Sequence, residues 1–175
     1  MSTYPTAPAQ GQRTGTAPAR PGTLTAALLI TVLVGLAELV NGIVIVTGGM
    51  DLANKLAAKS MDILNVDLGA NLNNQLLQDT AKEMQSGLQA RAYILIVFGA
   101  AMLLFGLLAR NAATWARVLV TISAVVTMGI SGFIVIDVNT TLMMILGAVA
   151  ALGSIVAIVF TWLGPNGRYA KARKA

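Results

Sequence analysis

The chain has 175 residues, of which 56% are hydrophobic and 11% charged, and its formal net charge is +5. This length accommodates one membrane bundle with a modest loop, but no second globular domain. Cysteine and histidine are both absent, which excludes disulfides, Cys/His zinc sites, haem with a His or Cys axial ligand and any triad that uses His.

Four long segments with almost no charge follow one another along the chain. At about 1.5 Å per helical residue, each is long enough to cross a hydrocarbon core of about 30 Å, the second only just. We therefore predict an all-α membrane fold, a bundle of four transmembrane helices. The predicted spans are 23–49, 91–109, 114–136 and 141–163.

The charges that flank these spans are sorted by sign. The two tails and the region around the link between the second and third spans carry eight basic residues and no acidic one. The other two links carry six acidic residues against four basic ones. Alternate links of a four-pass protein lie on the same side, and the Lys/Arg-rich side is cytoplasmic. The pattern predicts a multi-pass protein of the plasma membrane with both termini in the cytoplasm.

The N-terminal 22 residues form a polar tail rich in Pro, Ala, Thr, Gly and Gln. Because the tail has almost nothing to bury, we expect residues 1–22 to be a disordered cytoplasmic segment. The apolar run that follows is too long for a signal-peptide h-region, so we interpret it as the first span. We expect this helix to end at Gly48 and Gly49, since glycine tolerates the backbone change at a helix end.

Residues 50–90, between the first two spans, show apolar residues at three- and four-residue steps. This spacing is typical of amphipathic helices. We predict an extracytoplasmic helical hairpin, with helices near 50–65 and 71–90 and a break near Gly69. These helices either lie on the membrane or pack over the bundle, and a partner-binding surface is the functional alternative.

Glu38 is the only ionisable residue deep within any of the four runs, and it lies near the middle of the first. Ionisable groups at that depth are costly and usually face the bundle interior, where they have a partner or a function. Gly35 and Gly42 share its helical stripe, and small residues at such spacing allow close helix contact. We expect Glu38 to face another helix in its neutral form, with Asn41 beside it.

The third span offers hydroxyl partners at a matching depth. Counting inward places Thr127 level with Glu38, with Ser123 and Ser131 one turn to either side. Together with Asn41, these residues form our candidate intramembrane polar site. Three interpretations remain open, namely hydrogen bonding that holds the helices together, a proton- or cation-binding site, or binding to a helix of another membrane protein. An ion pathway needs polar residues through the full depth of the membrane, whereas the second and fourth runs are nearly all apolar. The sequence therefore favours a structural role, in which these side chains hold the helices together by hydrogen bonds.

Enzymatic chemistry has little support in the sequence. Intramembrane aspartyl chemistry needs two carboxyls in one site, and no phosphate loop, nucleotide fingerprint or metal carboxylate cluster is present. We therefore predict no catalytic, cofactor or metal site. The basic residues are explained by topology, and their expected partners are anionic lipid head groups at the cytoplasmic face rather than nucleic acid. The final segment, 164–175, is predicted to be a basic cytoplasmic tail.

The junction ARPGTLTAALLI, after a Pro/Gln/Gly-rich tail, resembles small multi-pass membrane proteins of actinobacteria that have no assigned function. The resemblance covers roughly the first 30 residues and the general layout, and it implies a bacterial envelope protein. The layout is also similar to tetraspan families such as the claudins, whose cysteine-containing signature is missing here. We predict a non-catalytic accessory or scaffold subunit that contacts another membrane protein or its own copies. The alternative is a small-solute, proton or ion translocation component that uses Glu38.

Overall fold

The computed structural model describes residues 19–64, 72–110 and 113–172, and their regular structure is entirely helical. The N-terminal tail up to residue 18 and the predicted break near Gly69 lie outside the described residues. Five helices follow one another along the described part of the chain. They are α1 (Gly22–Ile63), α2 (Leu72–Ala109), α3 (Thr114–Ile136), α4 (Thr141–Trp162) and α5 (Gly164–Ala172).

Helices α1 to α4 are each long and apolar enough to cross a membrane. This finding confirms the predicted all-α class with four apolar helices. The first two are much longer than the others, with 42 and 38 residues against 23 and 22. The surplus length lies at the end of the bundle where α3 turns into α4. We call residues 50–63 of α1 and 75–90 of α2 the extension.

Gly49 marks the point where α1 changes direction. Its backbone has φ 45° and ψ −133°, a left-handed conformation that glycine adopts without the penalty of a Cβ. The predicted helix end is thus a kink, because helical turns resume directly after it. Beyond the kink, Lys59 Nζ donates a hydrogen bond of 2.8 Å to the carbonyl oxygen of Asn139 in the α3–α4 turn. The second part of α1 therefore lies over that turn.

Helix α2 joins two elements that the sequence analysis separated. The predicted amphipathic helix at 71–90 and the predicted span at 91–109 form one uninterrupted helix from Leu72 to Ala109. Gly87 lies close to their junction, and a single glycine inside a helix costs only about 1 kcal/mol. Nothing in the local sequence therefore ends the helix at the boundary between residues 71–90 and the predicted span at 91–109.

One hydrophobic cluster connects the extension to the bundle. Leu52 and Leu56 lie beyond the kink in α1, and Leu88 belongs to the α2 part of the extension. They share a cluster with Ile134 of α3 and Met143 of α4. Because this apolar core continues without a break, the extension is packed as part of the bundle.

The α1–α2 contact brings two backbones unusually close. A methyl group at Gly35 would lie 2.9 Å from the carbonyl oxygen of Gly99, and one at Gly42 would lie 3.0 Å from the carbonyl oxygen of Ala92. Only glycine fits at such positions, as in other membrane helix pairs with small residues at the interface.

The segment after α4 forms a helix where the sequence analysis expected a basic tail. Within this helix, α5, Asn166 is fully buried. Its Nδ2 donates to the carbonyl oxygen of Phe160, and its Oδ1 accepts from Thr23 Oγ1, both at 2.7 Å. Arg117 donates to the backbone carbonyl of Asn166. These bonds tie the start of α1, the start of α3 and the last turn of α4 to one residue.

We predict that Gly99→Ala destabilises the bundle. The new Cβ would lie 2.9 Å from the carbonyl oxygen of Gly35 and 3.1 Å from the backbone nitrogen of Leu39, so the helices must move apart. Overpacking of this kind costs roughly 1–3 kcal/mol of unfolding free energy, measurable by SDS titration in detergent micelles. Gly132→Ala is the matched control, because a Cβ at Gly132 would meet nothing within 4 Å. Equal losses in both variants would contradict the close-contact explanation.

Candidate functional site

Glu38 lies in the interior of the bundle with only 1% of its surface exposed. The hydroxyl of Ser131 on α3 donates a hydrogen bond to Glu38 Oε1. Among the described residues, the two ion pairs lie elsewhere, between Lys82 and Asp79 and between Arg91 and Asp137. Within the described residues, Glu38 therefore has a hydroxyl partner and no basic one.

Asn41 extends the polar contacts of α1 to a third helix. Its Nδ2 lies 3.5 Å from the carbonyl oxygen of Met143 on α4, which is long for a hydrogen bond. Because Asn41 follows Glu38 by three residues, one face of α1 reaches both α3 and α4. The two residues thus connect elements that are far apart in the chain.

The three candidate residues on α3 share one buried face. Ser123, Thr127 and Ser131 recur every four residues, and each is at most 3% exposed. Depth counting placed Thr127 level with Glu38, whereas the structure pairs Glu38 with Ser131, one turn closer to the α3–α4 turn. Depth counting assumed that α1 and α3 are straight and that both start at the same depth in the bundle. It could not account for a relative shift of one turn, about 5.4 Å along the axis.

Six buried side-chain atoms lack a hydrogen-bond partner within the described part of the chain, and two of them, Arg117 Nε and Asn139 Oδ1, lie near the ends of the bundle. The other four lie between the helices: Glu38 Oε2, Asn41 Oδ1, Thr127 Oγ1 and Ser154 Oγ. Most buried polar atoms in proteins have a partner, so this set needs an explanation. All four are oxygens, which suit a proton or a bound water better than an anion.

Buried polar residues continue beyond the predicted site on two of the four long apolar helices. Thr31 on α1 and Ser154 and Thr161 on α4 are at most 4% exposed. The sequence analysis treated the fourth run as nearly all apolar, and it left these three residues out of the candidate site. Their burial was not readable from spacing alone, because single Ser and Thr residues are frequent in spanning helices.

Apolar packing flanks Glu38 on both sides along the bundle. Val34, Met102 and Ala124 belong to a cluster toward the chain termini, and Ile134 and Met143 belong to the cluster that continues into the extension. Gly99 closes the α2 side, where a Cβ would lie 3.0 Å from the Cβ of Glu38. In this conformation the site is a packed interior. Its hydrogen bonds join α1 to α3 and α4.

We predict that Ser131→Ala is destabilising and that Ser154→Ala is not. The first substitution removes the hydrogen bond to Glu38 and leaves a buried carboxyl without a partner, which costs about 1–3 kcal/mol. The second removes a hydroxyl that has no partner among the described residues, so unfolding free energy should stay unchanged or rise slightly. Unfolding titrations of both variants in the same detergent give the comparison. A larger loss for Ser154→Ala would refute the assigned pairing.

Comparisons with known proteins give no assignment of this site. No family model matches the chain, and no curated protein or solved structure matches it either. Within the described residues, no group of three or more His, Cys, Asp or Glu is placed to hold a metal ion. Any functional conclusion therefore rests on the fold and on the geometry of the polar cluster.

Proposed function

We propose that the protein is a non-catalytic accessory or scaffold subunit of the bacterial cell envelope, with four helices in the plasma membrane. Both termini face the cytoplasm and the extension faces outward. The orientation is supported by the distribution of charge, since basic residues without acidic neighbours favour the cytoplasmic side. Arg110, Arg168 and Lys171 lie at the end of the bundle opposite the extension.

The observation that carries this proposal is the rigid attachment of the extension. Its inner face belongs to the same hydrophobic cluster as the bundle, and Lys59 bonds to the α3–α4 turn. A partner that binds such a surface meets an ordered structure and loses little conformational freedom on association. Membrane anchoring of a preformed binding surface is what a scaffold subunit requires.

The exposed side of the extension carries apolar residues beyond the predicted spans. Ile63, Leu64 and Leu76 are each at least half exposed, and Lys82 and Asp79 lie on the solvent side as an ion pair. Exposed apolar side chains rimmed by polar ones are typical of protein contact sites. We therefore assign partner contact to the exposed face around Ile63 and Leu76.

The accessory role predicts position-specific cross-linking. The native chain has no cysteine, so Gln78→Cys, Leu152→Cys and Lys171→Cys each carry a single reactive thiol. Intact cells are treated with a membrane-impermeant, thiol-reactive photocross-linker, then illuminated, and adducts are identified by mass spectrometry. We expect Gln78→Cys alone to react and to form one adduct of defined mass with a second membrane or envelope protein or with another copy of the chain.

The two control positions separate orientation from partner binding. Leu152 is 65% exposed on a spanning helix and should be shielded by lipid, while Lys171 on α5 should react only after permeabilisation. Labelling of Lys171→Cys in intact cells would reverse the proposed orientation. A labelled Gln78→Cys that forms no adduct would contradict the accessory role.

A second candidate function is translocation of a proton or small cation through Glu38. The observation that favours it is the series of buried polar residues on α1, α3 and α4, together with unpartnered oxygens on Glu38 and Thr127. A chain of hydroxyls around one carboxyl is a common arrangement for proton relay in membranes. This route requires the closed packing around Glu38 to open during transport.

Glu38→Gln distinguishes the two functions. Glutamine has nearly the same shape, and its Oε1 can accept the hydrogen bond from Ser131, so the fold should be unchanged. Under the accessory proposal, purified protein in liposomes gives no pH-driven proton flux above empty vesicles, with or without the substitution. Flux in the wild-type protein that Glu38→Gln abolishes would overturn the accessory proposal in favour of translocation.

A further inference from the structure

Two adjoining cavities lie where the extension meets the bundle. A cavity of about 280 Å³ is lined by residues of the extension together with Arg91 and Asp137. A groove of about 380 Å³ runs between α2 and α3 and is lined by apolar and small residues, with Arg91 at its end. Gly87 and Arg91 line both, so the two spaces adjoin at these residues.

The groove has the shape and surface of a site for a hydrocarbon chain. Ile94 on α2 and Ile130 and Phe133 on α3 form its walls. Gly87 and Gly129 leave its floor open, since a Cβ at either position would meet nothing within 4 Å. The groove lies between two helices that are apolar enough to cross a membrane, so bilayer lipid is its natural environment.

Charged groups are arranged in order above the groove. Arg91 lies at the junction, where its Nη2 is 2.9 Å from Asp137 Oδ2 and its guanidinium carbon is 5.2 Å from the centre of the Phe133 ring. Glu83 lines the cavity farther along α2, eight residues or about 12 Å from Arg91. The site thus has one cation, Arg91, next to the groove. One carboxylate, Asp137, lies beside this cation, and a second, Glu83, lies farther from the groove.

We propose that the groove and cavity together bind a phospholipid whose zwitterionic head group ends in an ammonium ion. An acyl chain lies in the groove, the phosphate contacts Arg91, and the ammonium contacts Asp137, with the Glu83 carboxylate farther out in the same cavity. The order matches the lipid, because the phosphate adjoins the acyl-bearing glycerol and the ammonium lies farther out. The lipid belongs to the leaflet at the extension end of the bundle.

Arg91 can serve both Asp137 and a phosphate. A guanidinium has five N–H donors in a fixed fork, and a single hydrogen bond from Nη2 to Asp137 uses only one of them. Arginine favours phosphate because two parallel hydrogen bonds fit its geometry. The contact with Phe133 adds a cation–π interaction that holds the guanidinium at the mouth of the groove.

The carboxylates decide between classes of lipid head group. A phosphatidylglycerol-type head group offers its phosphate to Arg91 but has no cation for Asp137 and Glu83, and the two acids then repel it. A phosphatidylethanolamine-type head group satisfies both signs of charge. Selectivity between the two therefore reports on the proposed arrangement and does not depend on the orientation or partner proposed above.

The test is native mass spectrometry of the purified full chain, released from vesicles with equal amounts of phosphatidylethanolamine and phosphatidylglycerol of identical acyl chains. We expect one retained lipid, with phosphatidylethanolamine favoured about tenfold, which corresponds to about 1.4 kcal/mol. Equal retention of the two lipids, or preference for phosphatidylglycerol, would overturn the proposal.

Three variants localise the binding. Gly129→Leu fills the groove and should abolish retention, whereas Gly132→Leu on the same helix should retain the lipid, because Gly132 also has open space around its Cβ but does not line the groove. Glu83→Gln, on an exposed side chain, should keep the lipid and reduce the selectivity. If Gly129→Leu retains the lipid as the wild type does, the proposed lipid site is wrong. The proposal is also wrong if the protein is a dimer that Gly129→Leu disrupts, because the groove is then an interface between copies of the chain.

Discussion

The close contact between α1 and α2 is the constraint on which the rest of the bundle depends. Gly35, Gly42 and Gly99 let the two backbones approach to a distance that no larger residue allows. Lipid tails are as apolar as leucine, so burying leucine provides no reason for these helices to associate, and close packing must provide it. Once α1 is fixed against α2, Glu38 lies beside Gly99 and is directed into the bundle. Its bond to Ser131 then positions α3.

The polar contacts of the interior act at three levels along the bundle. Asn166 joins the ends of α1, α3 and α4 near the termini, and Glu38 joins α1 to α3 near the middle. Lys59 and Asn139 join the extension to the α3–α4 turn. Each level links segments that are distant in sequence. Because unpaired polar groups are costly in hydrocarbon, a bundle with the wrong helix order would leave these groups without partners. The polar residues that bond at these three levels thus favour one arrangement of the helices.

The features that could be predicted from the sequence are those that depend on local properties of the chain. Hydropathy and helix length sufficed for the four apolar helices, and the rarity of intramembrane carboxyls directed attention to Glu38. The pairing of Glu38 with Ser131 rather than Thr127 depends on the relative shift of two helices, which no local pattern encodes. For segment 164–175 the sequence analysis predicted a basic tail and no helix, although Pro165 lies in the first turn of α5. Proline is tolerated in the first turn of a new helix, and the bonds of Asn166 supply the tertiary contacts that stabilise it.

The continuity of α2 links the two sites that we propose at the extension. The same uninterrupted helix carries the exposed surface around Leu76 and, farther along, Arg91 and the wall of the groove. Arg91 is also bonded to Asp137, next to the turn that Lys59 contacts from α1. A lipid that holds Arg91 therefore stabilises the part of the fold that presents the extension. Any coupling between this lipid and a partner must be reciprocal: if the lipid increases the affinity for the partner by some factor, the partner increases the affinity for the lipid by the same factor.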